Sequence, residues 1–395
     1  MKHIVFLTRY HPTPGGRTGF TKDIIKNLGD DYNFSVICFR RKDLISEKIS
    51  FDPSKEASIK TLEIKKKFKS DTLNLISYHI KSYKILKKLK DKKELDIIIG
   101  TGLSGLGGII FGKLNKIPAI FNTSGIRGRN INEHIDYEIK NKEEKEIGKP
   151  KLKNYPRFLY NYLTDRLSIL LSTKTTIPTG HLEEQLEKNK PKLYKKTKSK
   201  FKVIIEGLNT NRVDNLKKED ILKEYNIPEG KIILFSRIEN EEFFQELFKE
   251  IKKEIPDSTV ISIDAQRMTM RLEKEGKLEL TDMGPIKAMI ASDLMLCIPG
   301  TEPHSTLVLE SLYTNCPTFV SNVGWLKYEF KDYPEFIVKN LTKQETIFKI
   351  KDFYKNRESY SEKFSKIKQE ILDRNSFERT KKDYKDLFDN ISSIR

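Results

Sequence analysis

Between an apolar run, Leu294-Met295-Leu296-Cys297-Ile298, and a helical pattern carrying Leu309 and Leu312 on one face lies Pro299-Gly300-Thr301-Glu302-Pro303-His304-Ser305-Thr306-Leu307-Val308-Leu309-Glu310. Ser305 stands where a helix N-cap belongs, which leaves the backbone N–H groups of Thr306 and Leu307 without intrahelical partners. Unpaired donors at the positive end of a helix dipole attract a phosphate. Glu310 falls more than a turn inside the helix and can point along the same side, while Glu302 lies in the preceding loop. Taken alone, the stretch reads equally well as a capped helix with two incidental glutamates.

The flanking segments supply the frame. Short β-rich runs alternate with helical patterns: Lys2 to Thr8, Phe34 to Phe39, Asp96 to Gly100, a small-residue helix from Gly105 to Leu114, and Ala119 to Asn122. Such alternation indicates a parallel sheet covered on both faces. A lysine-rich passage to residue 202 reads as the connection between halves. The alternation restarts with Val203-Ile204-Ile205, then Lys231 to Phe235, Thr259 to Ile263, Leu294 to Ile298 and Thr318 to Val320. The expected fold class is α/β, two doubly wound Rossmann-like domains facing a central cleft, where the carboxyl ends of both sheets would bind ligand. Boundaries fall at 1–195, 196–375 and a C-terminal helix, 376–395, that returns to the first domain.

A chain of 395 residues exceeds one ordinary core, which stops growing at roughly 250–300 residues. Its 37% hydrophobic and 10% aromatic content excludes a disordered chain. Cys38, Cys297 and Cys316 are an odd, sparse set in apolar or proline-flanked surroundings, which suits buried thiols and not a disulfide framework or zinc site. The opening apolar run, Ile4 to Leu7, is too short for a signal peptide, and no stretch approaches the ~20 apolar residues of a spanning helix. The formal charge of +18 gathers at Lys65 to Lys69, Lys84 to Lys93 and Lys188 to Lys202. An anionic membrane surface, nucleic acid or a solvated lysine face would each accommodate it. Aromatic interleaving and any nucleic-acid module are missing, so nucleic acid ranks last. His11 reads as a polar loop residue, His181 as a helix-start residue, and Met268 and Met270 as surface or packing.

The stretch from Glu302 to Glu310 resembles the mark of retaining GT-B glycosyltransferases, specifically glycosyltransferase family four: two glutamates separated by seven residues after the fifth strand of the second domain. Ala288 to Asp293 resembles the small-residue helix end before that strand. Asn315 to Trp325 resembles the turn, strand and glycine loop that follow it, Val203 to Asn209 the opening of the second domain, and Pro14-Gly15-Gly16 the first glycine loop. The resemblance implies that Glu310 binds the donor ribose, Glu302 the donor sugar, and the Thr306 and Leu307 backbone the distal phosphate. His304 and Ser305 would line the same donor site, Gly15 and Gly16 would admit the phosphates, and Arg237 would neutralise the leaving pyrophosphate. No Asp-x-Asp occurs, so the implied charge stabilisation is metal-free and no cofactor beyond the nucleotide-sugar donor is called for.

Three positions depart from that pattern. Glu242 stands where the family has a lysine, Ser124 where it has a histidine, and His304-Ser305 where it has an aromatic residue and glycine. Arg127 and Arg129 are candidate phosphate or acceptor contacts that would restore positive charge, or else an ordinary basic loop. The expected protein is an enzyme moving a sugar from a nucleotide-diphosphate sugar, a UDP-sugar first, to a glycan or lipid-linked acceptor. It would be cytoplasmic and peripheral at the inner membrane face. The alternative is a catalytically degenerate GT-B protein serving as a binding or partner subunit.

Overall fold

Runs such as Ile97-Ile98-Ile99 and Leu294-Met295-Leu296 have every side chain fully buried, as strands covered on both faces require. The structure, a computed structural model, describes residues 1–10, 16–40, 59–65, 68, 70–123, 155–208, 216–236, 241–264, 269–299, 305–340 and 342–391. The described residues up to Ile205, with those from Glu378 onward, form one compact unit, and Glu206–Phe377 a second.

The first unit holds strands β1 (His3–Tyr10), β2 (Asn33–Arg40), β3 (Ile59–Lys65), β4 (Ile97–Thr101), β5 (Ala119–Asn122), β6 (Lys174–Ile177) and β7 (Phe201–Val203). They lie in the order β3-β2-β1-β4-β5-β6-β7, all parallel. Chain order reverses between β1 and β4. Helix Leu106–Asn115 sits close on this sheet because Gly105 faces Gly100; a Cβ on Gly105 would lie 2.7 Å from the Gly100 carbonyl carbon. The last helix, Phe377–Asn390, packs in this unit through Tyr384 against Phe20 and through the Asn122 amide donating to the Tyr384 hydroxyl at 2.7 Å.

The second unit holds β8 (Lys231–Ser236), β9 (Ser258–Asp264), β10 (Thr269–Lys274), β11 (Lys277–Thr281), β12 (Leu294–Cys297), β13 (Thr318–Ser321) and β14 (Ile337–Val338), in the order β11-β10-β9-β8-β12-β13-β14. Five strands are parallel, and the β10–β11 hairpin closes one edge antiparallel. Order reverses between β8 and β12.

Two readings of the connecting region are corrected. The passage to residue 202 is not a linker: helices Gly180–Asn189 and Pro191–Thr197 bury Leu182, Leu186 and Leu193 in the first unit, a helical spacing that the surrounding lysines mask. Nor does Val203 open the second sheet. Phe201–Val203 pairs with Thr175–Ile177 and so satisfies the outer edge of β6 in the first sheet.

The cysteines Cys38, Cys297 and Cys316 are free and buried, and desolvation pushes the Cys316 thiol well above its usual range. Among the described residues no helix is long and apolar enough to cross a membrane. Met270 is buried in β10, and His181, second residue of its helix, pairs with Gln185.

Candidate functional site

In an open α/β sheet the carboxyl ends of the strands flanking an order reversal leave a crevice where ligands bind. In the second unit those strands are β8 and β12, with Ser236 in register with Cys297. Both run buried to their ends, so the chain emerges from the core at a fixed point on each. Ser236 Oγ donates to the Leu296 carbonyl at 3.4 Å, which ties the ends together. Arg237 follows Ser236 directly in sequence.

Beyond β12, the Ser321 hydroxyl at the end of β13 donates to the Pro299 carbonyl at 2.7 Å and pins the start of the loop. Its far end is held at Ser305, a buried residue whose Oγ lies 4.0 Å from the Cys297 sulfur. Ser305 has extended backbone (φ −118°, ψ 104°) and caps helix Thr306–Tyr313, its Oγ accepting from the Val308 amide at 3.4 Å. The Ser305 carbonyl accepts from the Leu309 amide. Among the described residues nothing accepts from the Thr306 and Leu307 amides, as the sequence requires of the first turn. Val308, Leu309 and Leu312 are wholly buried, and the Thr318 hydroxyl donates to Ser311 Oγ at 2.7 Å, so the helix is fixed on β13. Glu310 is half-buried on this helix.

The structure therefore gathers Ser305, Thr306, Leu307 and Glu310 at the order reversal. Gly16 opens helix Gly16–Leu28 after β1 in the first unit, and Glu242 is an exposed second residue of helix Glu241–Glu254. Gly15, Ser124, Arg127, Arg129, Arg237, Glu302 and His304 lie outside the described residues, as do His11 and Met268. Sequence reasoning gave no positioning role to Ser236, Cys297 or Ser321, which hold the two strand ends and the loop. The available signal was a small polar or thiol residue closing a fully buried strand. Among the described residues no group of three or more His, Cys, Asp or Glu is placed to hold a metal ion.

No known protein-family profile matches the chain, and no curated protein matches it in sequence. Solved structures do. Sucrose-phosphate synthase from Thermosynechococcus elongatus superposes with a TM-score of 0.73 at 12% identity, over 100% of both chains. Anabaena HepE in complex with UDP-glucose gives 0.68 at 13% identity, over 98% of this chain and 99% of that one. WaaG, a glycosyltransferase of lipopolysaccharide biosynthesis, gives 0.64 at 12%, over 94% and 95%. Such identities speak for fold alone, and the fold is that of the GT-B glycosyltransferases.

Proposed function

We propose that this chain is a retaining glycosyltransferase of family four that uses a nucleotide-diphosphate sugar, a UDP-sugar first, and a glycan or lipid-linked acceptor. The observation that carries this reading is the capped helix Thr306–Tyr313 beginning at the β8/β12 reversal, with two amides at its start that no described residue accepts from. A donor phosphate placed there would meet fixed donors and the helix dipole, which stabilise negative charge without reorganising as the reaction proceeds. The binding of UDP-glucose by HepE, which shares the fold, favours a uridine donor.

In this reading the anomeric carbon–phosphate oxygen bond breaks as the acceptor oxygen bonds to the same face, and the acceptor proton passes to the leaving phosphate. Charge grows on phosphate, so Arg237 and the Thr306 and Leu307 amides carry the stabilisation and no metal is called upon. Glu310 holds the ribose and Glu302 the sugar. The protein works in the cytoplasm, peripheral at the inner membrane face, where its lysines meet anionic lipid.

Nucleotide-induced thermal stabilisation is the first test, since a ligand far above its dissociation constant raises the melting temperature. Glu310→Ala should weaken nucleotide binding by about 1.5–3 kcal/mol, the worth of a hydrogen bond to a charged group. Glu302→Gln should lower turnover at nearly unchanged nucleotide affinity, and Arg237→Ala should lower transfer strongly with the fold intact. Wild-type binding and transfer in all three would overturn the assignment. The exposed carboxylate of Glu242 at the lysine position favours a second reading, a degenerate binding subunit. Under it, the wild type binds nucleotide but neither transfers nor hydrolyses any nucleotide sugar.

A further inference from the structure

Helix Tyr155–Leu171 in the first unit buries a mixed face and turns an apolar one outward. Asn161, Thr164, Asp165 and Ser168 are buried against the unit beside Ile169, whereas Leu159, Leu163, Leu167 and Leu170 are each 40–45% exposed. Steps of four, four and three place those leucines in one stripe on the outer face. Burial of a soluble helix would favour the reverse arrangement, so a continuous leucine stripe facing out marks a surface with an occupant.

A second stripe lies on helix Asp71–Asp91, where Leu73, Ile76, Ile80 and Tyr83 are exposed along one face. The two helices flank helix Leu106–Asn115. Tyr83 meets Phe111 edge-on at 4.9 Å, the Gly107 amide donates to His79 Nδ1 at 3.2 Å, and His79 lies 6.4 Å from the Tyr160 ring. Both stripes therefore belong to one helical layer of the first unit.

We propose that this layer is an interfacial docking surface that seats the first unit on an anionic lipid bilayer. Charge names the occupant. The outer face of helix Asp71–Asp91 turns from apolar to cationic along its length, with Lys84, Lys87, Lys88 and Lys90 exposed, and no acidic residue intervenes between Asp71 and Asp91. Exposed Lys113 and Lys116 close the neighbouring helix. An apolar stripe beside lysines fits acyl chains beneath anionic headgroups. A second copy of a chain carrying +18 would set lysines against lysines. The surface deepens the membrane attachment named above. Lipid binding is read without sugar transfer, so either idea can fail while the other stands.

The test uses the full chain floated with vesicles of phosphatidylcholine, with and without phosphatidylglycerol, at low and high salt. Wild type should bind the anionic vesicles and keep part of that binding at high salt. Leu163→Ser with Leu167→Ser, or Ile76→Ser with Ile80→Ser, should lower partitioning about tenfold or more and remove the salt-resistant part. Lys87→Gln with Lys88→Gln should cost roughly tenfold at low salt only. Leu163→Trp should shift its emission to the blue on anionic vesicles, against the buried Trp325, the chain's single native tryptophan. Serine variants that fold and bind like wild type, or a Leu163→Trp emission unmoved by vesicles, would overturn the proposal. So would a concentration-dependent dimer that the serine variants abolish, which would give the face to a second copy.

Discussion

The two units solve one problem with one device and then part ways. In each, an aspartate immediately before the strand beyond the order reversal clasps the start of the first strand. Asp96 receives the His3 amide on Oδ2 at 2.8 Å and returns its own amide to the His3 carbonyl at 2.9 Å. Asp293 does the same with Ile232, at 2.9 Å both ways. In the second unit Asp293 Oδ1 also takes Lys218 at 2.8 Å and Arg357 at 2.6 Å, two cations from two helices. Among the described residues no cation pairs with Asp96 in this way. The first unit holds its helices instead by close apolar packing: a Cβ on Gly107 would lie 2.9 Å from His79 Cα, and one on Gly108 2.8 Å from Leu7. The unit with the capped helix at its order reversal is braced there by ions, while the other turns leucines outward.

Breaking the loaded clasp should have the largest effect. Asp293→Ala removes a buried carboxylate from a backbone amide and from two partly exposed cations and should destabilise the second unit by about 2–4 kcal/mol, read by urea unfolding. A cost below that of Asp96→Ala would show that the added ion pairs contribute nothing. Next comes acid. Burial lowers the His79 pKa to about 4, from an ordinary value near 6.5. Between those values the unfolded chain binds a proton that the folded one does not, so stability falls as pH drops from 6.5 to 4, by about 3 kcal/mol in all. His79→Gln should flatten that acid limb in the first unit and leave the second unit's unfolding unmoved. Equal acid limbs in wild type and variant would remove His79 from the comparison.

The simpler clasp should matter less. Asp96→Ala forfeits a charge-assisted bond to one amide and should cost about 1.5–3 kcal/mol, detected as a lower melting temperature. The smallest expected change is at the crevice. Ser305→Ala should cost about 1 kcal/mol by loss of the cap, while Ser305→Asp keeps the cap at a desolvation cost, its carboxylate being buried there. The added charge in Ser305→Asp should nevertheless weaken nucleotide binding, because it competes with phosphate for the helix end. Nucleotide affinity unchanged in that variant would place the phosphate elsewhere.

The capped helix start and both strand–helix alternations were legible because they depend on short-range pattern. Apolar runs bounded by loops report buried parallel strands, and Ser305 before an apolar helical face reports a cap. The second unit's edge hairpin, Thr269–Thr281, was not legible, since Arg271, Glu273, Lys274 and Glu279 dilute the strand pattern on an edge half open to water. The start of helix Gly180–Asn189 was legible at His181, but the packing of that helix and of Pro191–Thr197 into the first unit was hidden for a related reason: their three buried leucines are scattered among lysines.

By itself the sequence determined two doubly wound units, three buried free thiols and a capped helix after a buried strand, because each follows from the local periodicity of apolar residues. Tertiary structure alone decided that Phe201–Val203 completes the first sheet, since strand partners are chosen by unsatisfied backbone at an edge distant in sequence. It alone put Asp96 and Asp293 in the same role, where each meets an amide at the start of a strand far back along the chain. It also turned four leucines outward on Tyr155–Leu171, because the packing of that helix, and not its composition, sets which face meets water.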